Sequence, residues 1–143
     1  MGCILNKQDD IVAPTSIKKE LKTKKILYLE DVEIHYDLMR FVTNKYTKEH
    51  IEICWVVTIL QAKSILKEEN ICGIIVDRKL GDNEMGEDFV EYLVDNNLFD
   101  PNKIIILSAL SKNEEMKKLT DVGVKYMQKP MDIVKFKNYI EEI

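Results

Sequence analysis

The sequence predicts an α/β domain built on a parallel β-sheet, and two observations carry this prediction. Short apolar runs alternate along the chain with longer segments whose apolar residues recur three and four positions apart, which is the spacing of a helix face. This strand-then-helix pattern occurs five times between residues 25 and 143. The chain has 143 residues, of which 45% are hydrophobic, and this suits one domain with a core of useful size.

Each predicted element follows from its local pattern. The predicted strands cover residues 26–29, 51–57, 74–76, 104–107 and 124–128. Helical spacing is carried by Ile34, Leu38, Phe41 and Val42 in the first helix, by Ala62, Ile65 and Leu66 in the second, and by Ile133, Phe136, Ile140 and Ile143 in the last. The fourth helix has few apolar anchors, mainly Met116 and Leu119, so we expect it to be the element most able to switch.

The domain is predicted to span residues 25–143. Residues 1–24 lack the periodicity and include a lysine-rich run, so they are predicted to form a leader that is flexible or locally helical. No output domain follows in the sequence, and we therefore expect either a stand-alone domain or a fragment of a longer chain.

The strands also indicate their own order in the sheet. The first, third and fourth runs are continuously apolar, as expected of central strands that are covered on both faces. The second run alternates at Glu52 and the fifth at Lys125, which is typical of edge strands. Placing the second and fifth strands at the edges predicts a doubly wound, flavodoxin-like (βα)5 fold with strand order 2-1-3-4-5.

Polar side chains follow four of the predicted strands. Glu30 and Asp31 come after the first strand, Asp77 after the third, Ser108 after the fourth and Lys129 after the fifth. Open parallel sheets bind ligands outside the carboxyl ends of their strands, near the point where the strand order reverses. Any one of these residues alone would be explained by a helix cap, a turn or a loop, but all five together predict a site.

The residue types at this predicted site indicate phosphoryl chemistry. Three carboxylates in one pocket repel one another unless a cation lies among them, and oxygen ligands favour Mg²⁺, with Mn²⁺ as an alternative. Asp77 would then attack phosphorus as a carboxylate nucleophile. Lys129 would add a second positive charge, and Ser108 would donate a hydrogen bond to a phosphoryl oxygen.

At these residues the chain resembles the receiver domains of bacterial response regulators, which form the CheY-like superfamily of two-component signalling. The resemblance runs from about residue 24 to residue 143, and the matching segments are residues 26–31, 73–77, 104–109 and 126–130. It implies that Asp77 is the phosphoacceptor, and that Asp77 and Asp31 bind the metal directly. It further implies that Glu30 supports the metal through water and that the backbone carbonyl of Lys79 is another ligand.

The resemblance also implies a switch and a conformation at the fifth strand. Ser108 matches the switch hydroxyl, and Tyr126 matches the aromatic residue that moves inward when the hydroxyl engages the phosphoryl group. Lys129 matches the family's lysine, and its peptide bond to Pro130 is expected to be cis. One departure is Leu80-Gly81, where most receivers have a proline shortly after the phosphoacceptor.

The implied function is that of a receiver in a two-component phosphorelay. A sensor histidine kinase or a histidine phosphotransfer protein would supply the phosphoryl group. Phosphorylation would then change binding of a downstream protein effector through the face formed by the fourth helix, fifth strand and fifth helix, and this face is also a candidate for homodimerisation. The domain is not expected to be an enzyme beyond catalysing its own phosphorylation and dephosphorylation, and no organic cofactor is expected.

Composition excludes several other classes of function. The net charge of −4 argues against DNA binding, and the apolar runs of four or five residues argue against a membrane span. No secretory signal is present in the sequence, so a cytoplasmic location is expected. The isolated histidines, His35 and His50, are interpreted as surface or partly packed residues without a metal or phosphohistidine role.

Three alternative functions remain open on the sequence. The first is a pseudo-receiver, an interaction module that is never phosphorylated. The second is a haloacid-dehalogenase-type phosphatase, whose pattern places an Asp where this chain has Lys79 and puts the nucleophile after the first strand. The third is a flavodoxin, which needs a phosphate-binding loop at residues 30–33, where this chain is acidic.

Overall fold

The structure is a computed structural model that describes residues 23–48, 50–81, 83–110 and 114–143. Its strands are β1 (Lys24–Leu29), β2 (Ile51–Val56), β3 (Gly73–Asp77), β4 (Ile104–Ser108) and β5 (Lys125–Gln128). Its helices are α1 (Glu33–Tyr46), α2 (Ile59–Glu68), α3 (Gly86–Asp95), α4 (Glu114–Asp121) and α5 (Ile133–Glu142), with a 3₁₀ turn at Pro101–Lys103. Residues 1–22 of the predicted leader lie outside the described residues, and its last residue, Lys24, begins β1.

The strands form one parallel sheet with the order β2-β1-β3-β4-β5, so the predicted order is confirmed. Leu29 pairs with Val56 on one side and with Val76 on the other, and Asp77 pairs with Leu107. This register brings the carboxyl ends of the strands to one edge of the sheet. The residues that follow the strands therefore share that edge.

Helices cover both faces of the sheet, as in a doubly wound fold. One face packs Leu29, Val76 and Ile106 against α2, α3 and α4, and Met116 and Leu119 of α4 are fully buried there, as predicted. The opposite face packs its apolar strand residues against buried side chains of α1 and α5, which are Met39, Phe136, Tyr139 and Ile140. The central strands β3 and β4 are buried along their whole length.

Helix α1 differs from the expectation set by its apolar spacing. Ile34, Leu38 and Phe41 are 66%, 61% and 55% exposed, whereas Met39 and Thr43 are the buried residues of this helix. The helical period is correct, but a period does not reveal which face of a helix packs on the sheet. Helix α1 therefore carries a second, exposed apolar stripe, formed by Ile34, Leu38 and Phe41.

Gly86 explains why α3 can begin close against β3. A Cβ atom added at Gly86 would lie 2.1 Å from the carbonyl oxygen of Asp77 and 2.3 Å from Cγ1 of Val76. Both distances are below any normal contact, so a side chain would push the helix away from the strand that carries Asp77.

Within the described ranges, no helix has the length and hydropathy needed to cross a bilayer.

Candidate functional site

Three carboxylates meet at the carboxyl edge of the sheet. One oxygen each from Glu30, Asp31 and Asp77 lies within 4.8 Å of the other two. Glu30 is fully buried and Asp77 is 7% exposed, whereas Asp31 is exposed at the mouth of the site. The structure therefore brings together the three acidic residues that the sequence predicted would converge.

Lys129, which follows β5, reaches two of these carboxylates. Its Nζ lies 3.2 Å from Oδ1 of Asp77 and 3.9 Å from Oε2 of Glu30. The backbone N–H of Lys129 donates to the carbonyl oxygen of Ser108 at 2.7 Å, which ties the end of β5 to the end of β4. The peptide bond between Lys129 and Pro130 is cis, as the resemblance implied.

The two oxygens of Glu30 have different surroundings. Oε1 accepts a hydrogen bond from the backbone N–H of Val32 at 3.2 Å and lies 2.8 Å from Nδ1 of His35. Oε2 is buried and accepts no hydrogen bond from the described part of the chain. Burial, followed by the negative charge of Asp77, raises the pKa of Glu30 to about 7, although His35 and Lys129 act in the opposite direction.

These donors fit a hard divalent cation. All three are carboxylates, which Mg²⁺ and Mn²⁺ prefer, and the buried Oε2 of Glu30 is a polar atom that needs a partner. Asp31, Asp77 and Glu30 are the residues that would hold the ion. The predicted ligand role of the Lys79 carbonyl stays a prediction; this residue forms an isolated bridge with Met85, and its side chain is exposed.

Ser108 and Tyr126 are linked through one residue of the loop after β4. Ser108 is 4% exposed, and its Oγ accepts a hydrogen bond from the backbone N–H of Leu110 at 3.1 Å. The Tyr126 hydroxyl donates to the carbonyl oxygen of the same Leu110. A change in the bonding of Ser108 would therefore reach Tyr126 through a single residue.

Gly81 belongs to the Leu80-Gly81 pair that departs from the receiver pattern, and it lies against Asp31, one of the metal-ligand candidates. A Cβ atom added at Gly81 would lie 3.1 Å from Oδ2 of Asp31, which is tighter than an ordinary contact. A side chain at this position would press on the Asp31 carboxylate. The absence of one here keeps the mouth of the site open.

Sequence reasoning missed three residues that contact the site or the residues beside it. His35, in the first turn of α1, faces Glu30, and the Trp55 indole N–H donates to the carbonyl oxygen of Glu30 at 2.7 Å. In the sequence, His35 stands at the start of the helix that follows the acidic pair, and Trp55 stands on the strand that pairs with β1. Neither signal fixes a side-chain rotamer, which is what decides the contact.

The third missed residue is Arg78, which directly follows Asp77. Its Nε donates to Oε1 of Glu87 at 3.1 Å, and both side chains are nearly buried. Glu87 lies in the first turn of α3, and the N–H of Gly86 donates to the carbonyl oxygen of Arg78 at 2.8 Å. These bonds fix the strand end that carries Asp77 against the start of α3.

No protein-family model and no curated protein matches the chain. Solved structures do match it, and three of them are receiver domains or response regulators. The receiver domain of the Francisella response regulator 1452 is 21% identical, with a TM-score of 0.65 over 83% of this chain and 94% of that chain. A response regulator receiver domain protein from Clostridium thermocellum is 19% identical, with a TM-score of 0.67 over 83% and 92%.

The third structure is the chemotaxis response regulator CheY4 of Vibrio cholerae. It is 16% identical to this chain, with a TM-score of 0.66 over 85% of this chain and 98% of that chain. The match therefore covers almost the whole of that response regulator. At these identities the similarity concerns architecture. The chain therefore has the fold of response regulator receiver domains, and the resemblance found in the sequence is confirmed at the level of the fold.

Proposed function

We propose that this chain is a receiver domain of a two-component phosphorelay and that Asp77 accepts the phosphoryl group. One observation carries the proposal: the Asp77 carboxylate lies 3.2 Å from Lys129 Nζ within a group of three carboxylates at the carboxyl edge of the sheet. A nucleophilic carboxylate, an ammonium and a cation-binding cluster are the groups that aspartyl phosphorylation needs.

The chemistry divides among these residues. A bound Mg²⁺ would neutralise charge on the phosphoryl oxygens. An oxygen of Asp77 forms the new bond to phosphorus as the bond from phosphorus to the donor's histidine nitrogen breaks. Lys129 already contacts Asp77 Oδ1, so its ammonium neutralises charge that arrives with the phosphoryl group. Asp31 and Glu30 would hold the cation together with Asp77.

The switch starts at Ser108. We infer that its hydroxyl leaves the N–H of Leu110 and donates to a phosphoryl oxygen, which frees Leu110 to move and changes the partner of Tyr126. Moving a two-state equilibrium from mostly off to mostly on takes about 5.5 kcal/mol. A few hydrogen bonds to a charged phosphoryl group, about 1.5–3 kcal/mol each, are enough. The α4-β5-α5 face would then bind the effector or a second copy.

The phosphodonor has to reach Asp77 from outside the sheet edge. Helix α1 begins beside the site and exposes the stripe of Ile34, Leu38 and Phe41. The stripe adjoins a groove of about 460 Å³, which is lined by residues of α1 and by Lys129, Pro130 and Met131. An exposed apolar surface of this kind suits a protein partner, and we assign it to the sensor histidine kinase or histidine phosphotransfer protein.

We further propose that the protein is cytoplasmic and that it catalyses only its own phosphorylation and dephosphorylation.

The proposal is tested by chemical phosphorylation. The parent protein and an Asp77→Asn variant are incubated with Mg²⁺ and acetyl phosphate, and their intact masses are recorded. One phosphoryl adduct is expected on the parent alone, and chelation of the metal should abolish it. Asp37→Asn, which changes an exposed aspartate of α1, is the matched control and should form the adduct.

Two results would contradict the proposal. If the parent forms no adduct with acetyl phosphate or with a panel of histidine kinases, and binds no beryllofluoride, the chain is a pseudo-receiver. An adduct that persists in Asp77→Asn would place the phosphoryl group elsewhere and would contradict the assignment of Asp77.

A further inference from the structure

His35 contacts Glu30, with Nδ1 at 2.8 Å from Oε1. The same oxygen accepts the backbone N–H of Val32. An ionised Glu30 carboxylate only accepts hydrogen bonds, so its contact with His35 requires a hydrogen on Nδ1, which the imidazole donates. The histidine side chain is 42% exposed, whereas the glutamate it contacts is fully buried.

This contact decides where the other oxygen of Glu30 points. With a hydrogen on Nδ1, His35 and the N–H of Val32 both hold Oε1, and Oε2 faces Lys129 Nζ, which also contacts Asp77 Oδ1. Oε2 is buried and accepts no hydrogen bond from the described residues. A buried oxygen that is held in one direction without a hydrogen-bond donor is placed to meet a ligand.

We propose that His35 is a positioning residue for the cation site: its Nδ1–H fixes Glu30 through Oε1, so that Oε2 is presented to a divalent cation held with Asp31 and Asp77. This inference rests on the cation site of the proposed function and goes beyond it, because it assigns a role to a side chain outside the carboxylate cluster. The cluster of converging ligand atoms contains carboxylates only, so His35 acts through Glu30 and not as a ligand itself. Ligand-orienting partners of this kind change metal affinity when they are removed.

The test measures Mn²⁺ affinity without any phosphorylation. Free Mn²⁺ is quantified by its electron paramagnetic resonance signal during titration of the protein. His35→Leu removes the donor and keeps apolar bulk, and it should weaken Mn²⁺ binding by about 10-fold or more. His35→Asn places an amide N–H near the position of Nδ1 and should recover most of that affinity.

The matched control is His50→Leu, which changes the other histidine of the chain, an exposed residue before β2. It should leave Mn²⁺ affinity unchanged. Circular dichroism spectra establish that each variant is folded. A further measurement needs no variant: long-range ¹H–¹⁵N NMR of the parent should find the His35 hydrogen on Nδ1, and a neutral ring protonated on Nε2 would overturn the proposal.

The outcomes separate this inference from the function on which it rests. If the parent and His35→Leu bind Mn²⁺ equally while Asp77→Asn loses affinity, the cation site stands and the role of His35 is wrong. If His35→Leu and His35→Asn lose affinity equally, His35 acts by packing and not by donating a hydrogen bond, which also overturns the proposal. If the parent binds no Mn²⁺, the cation site itself fails.

Discussion

Glu30 and Asp77 carry like charges at one edge of the sheet, and Lys129 contacts both of them. Burial is the larger cause of the raised pKa of Glu30, and the negative charge of Asp77 is the next. Without metal, burial and repulsion at this site therefore lower the free energy of unfolding at any pH where both carboxylates are ionised. This loss of stability is expected of a site that binds a cation.

Replacing Asp77 with asparagine removes one of the two like charges. We expect Asp77→Asn to raise the free energy of unfolding by about 1 kcal/mol at pH 8 without metal, because it removes the repulsion between two neighbouring carboxylates, at least one of which is fully buried. The variant should also lower the pKa of Glu30. Urea unfolding in the presence of a chelator measures the first effect, and the exposed Asp37→Asn is the control. A less stable variant would mean that the Asp77–Lys129 contact outweighs the repulsion.

The sequence predicted most of this site because its residues follow strands directly. Where parallel strands are in register, as Asp77 with Leu107 and Ser108 with Gln128, the residue after each strand has its position fixed by the backbone. The contact between His35 and Glu30 was not predictable in the same way. It depends on the angle at which α1 leaves β1 and on two side-chain rotamers, which the spacing of residues does not encode.

At the scale of elements, burial on two faces explained the strand order and the apolar period located the helices. The same period could not orient α1, because Ile34, Leu38 and Phe41 repeat as regularly as the residues that pack on the sheet. Helix α1 contributes the first turn that holds His35 and the exposed stripe assigned to the phosphodonor. An element can therefore be predicted correctly while its functional face remains unknown from sequence.

The loop after β4 is the element through which the site is expected to act. Tyr126→Phe removes the hydrogen bond to the Leu110 carbonyl, and the loop should then open more easily around the bond between Leu110 N–H and Ser108 Oγ. Loss of a bond of about 1 kcal/mol corresponds to about a fivefold faster exchange of the Leu110 amide hydrogen. NMR-detected hydrogen exchange measures this rate in the unphosphorylated protein.

Tyr92→Phe on α3 is the matched control for this measurement. Its ring contacts Lys63, far along the chain from the β4–α4 loop, so the exchange of the Leu110 amide should not change. An unchanged Leu110 rate in Tyr126→Phe would mean that the tyrosine does not hold the loop. Faster exchange in both variants would indicate a general loss of stability.

At the scale of the whole molecule, the site lies where the two helical layers meet the same sheet edge. His35 and the groove beside Lys129 belong to the α1–α5 layer, whereas Arg78 and Glu87 join β3 to the α2–α3–α4 layer. A change of charge at Asp77 therefore affects contacts on both faces of the sheet. The free energy of unfolding should depend on the charge and the metal occupancy of the site, which change with pH and with metal concentration.

The linkage has a definite sign. The pKa of Glu30 is raised from 4.5 to about 7 by folding, so between these values the folded metal-free protein binds more protons at Glu30 than the unfolded chain does. The contribution of Glu30 to the free energy of unfolding is therefore largest below pH 4.5. It falls as the pH rises toward about 7 and stays low above that.

Mg²⁺ should reverse this trend, because the ion binds the ionised carboxylate and releases the proton. We expect the increase in melting temperature caused by saturating Mg²⁺ to grow from pH 5 to about pH 7 and then to level off. At an Mg²⁺ concentration 100 times the dissociation constant, the stabilisation is about 2.7 kcal/mol. Paired thermal melts with Mg²⁺ and with chelator, recorded at each pH, measure the difference.

Glu30→Gln should make the Mg²⁺-induced increase in melting temperature smaller and independent of pH between pH 5 and about pH 7. The reason is that an amide neither titrates nor supplies negative charge. The matched control is Glu33→Gln, which changes an exposed glutamate in the first turn of α1 and should keep the parent's pH profile. A stabilisation by Mg²⁺ that is constant from pH 5 to pH 8 in the parent would contradict the linkage. It would mean that Glu30 is ionised throughout this range, so that cation binding displaces no proton from it.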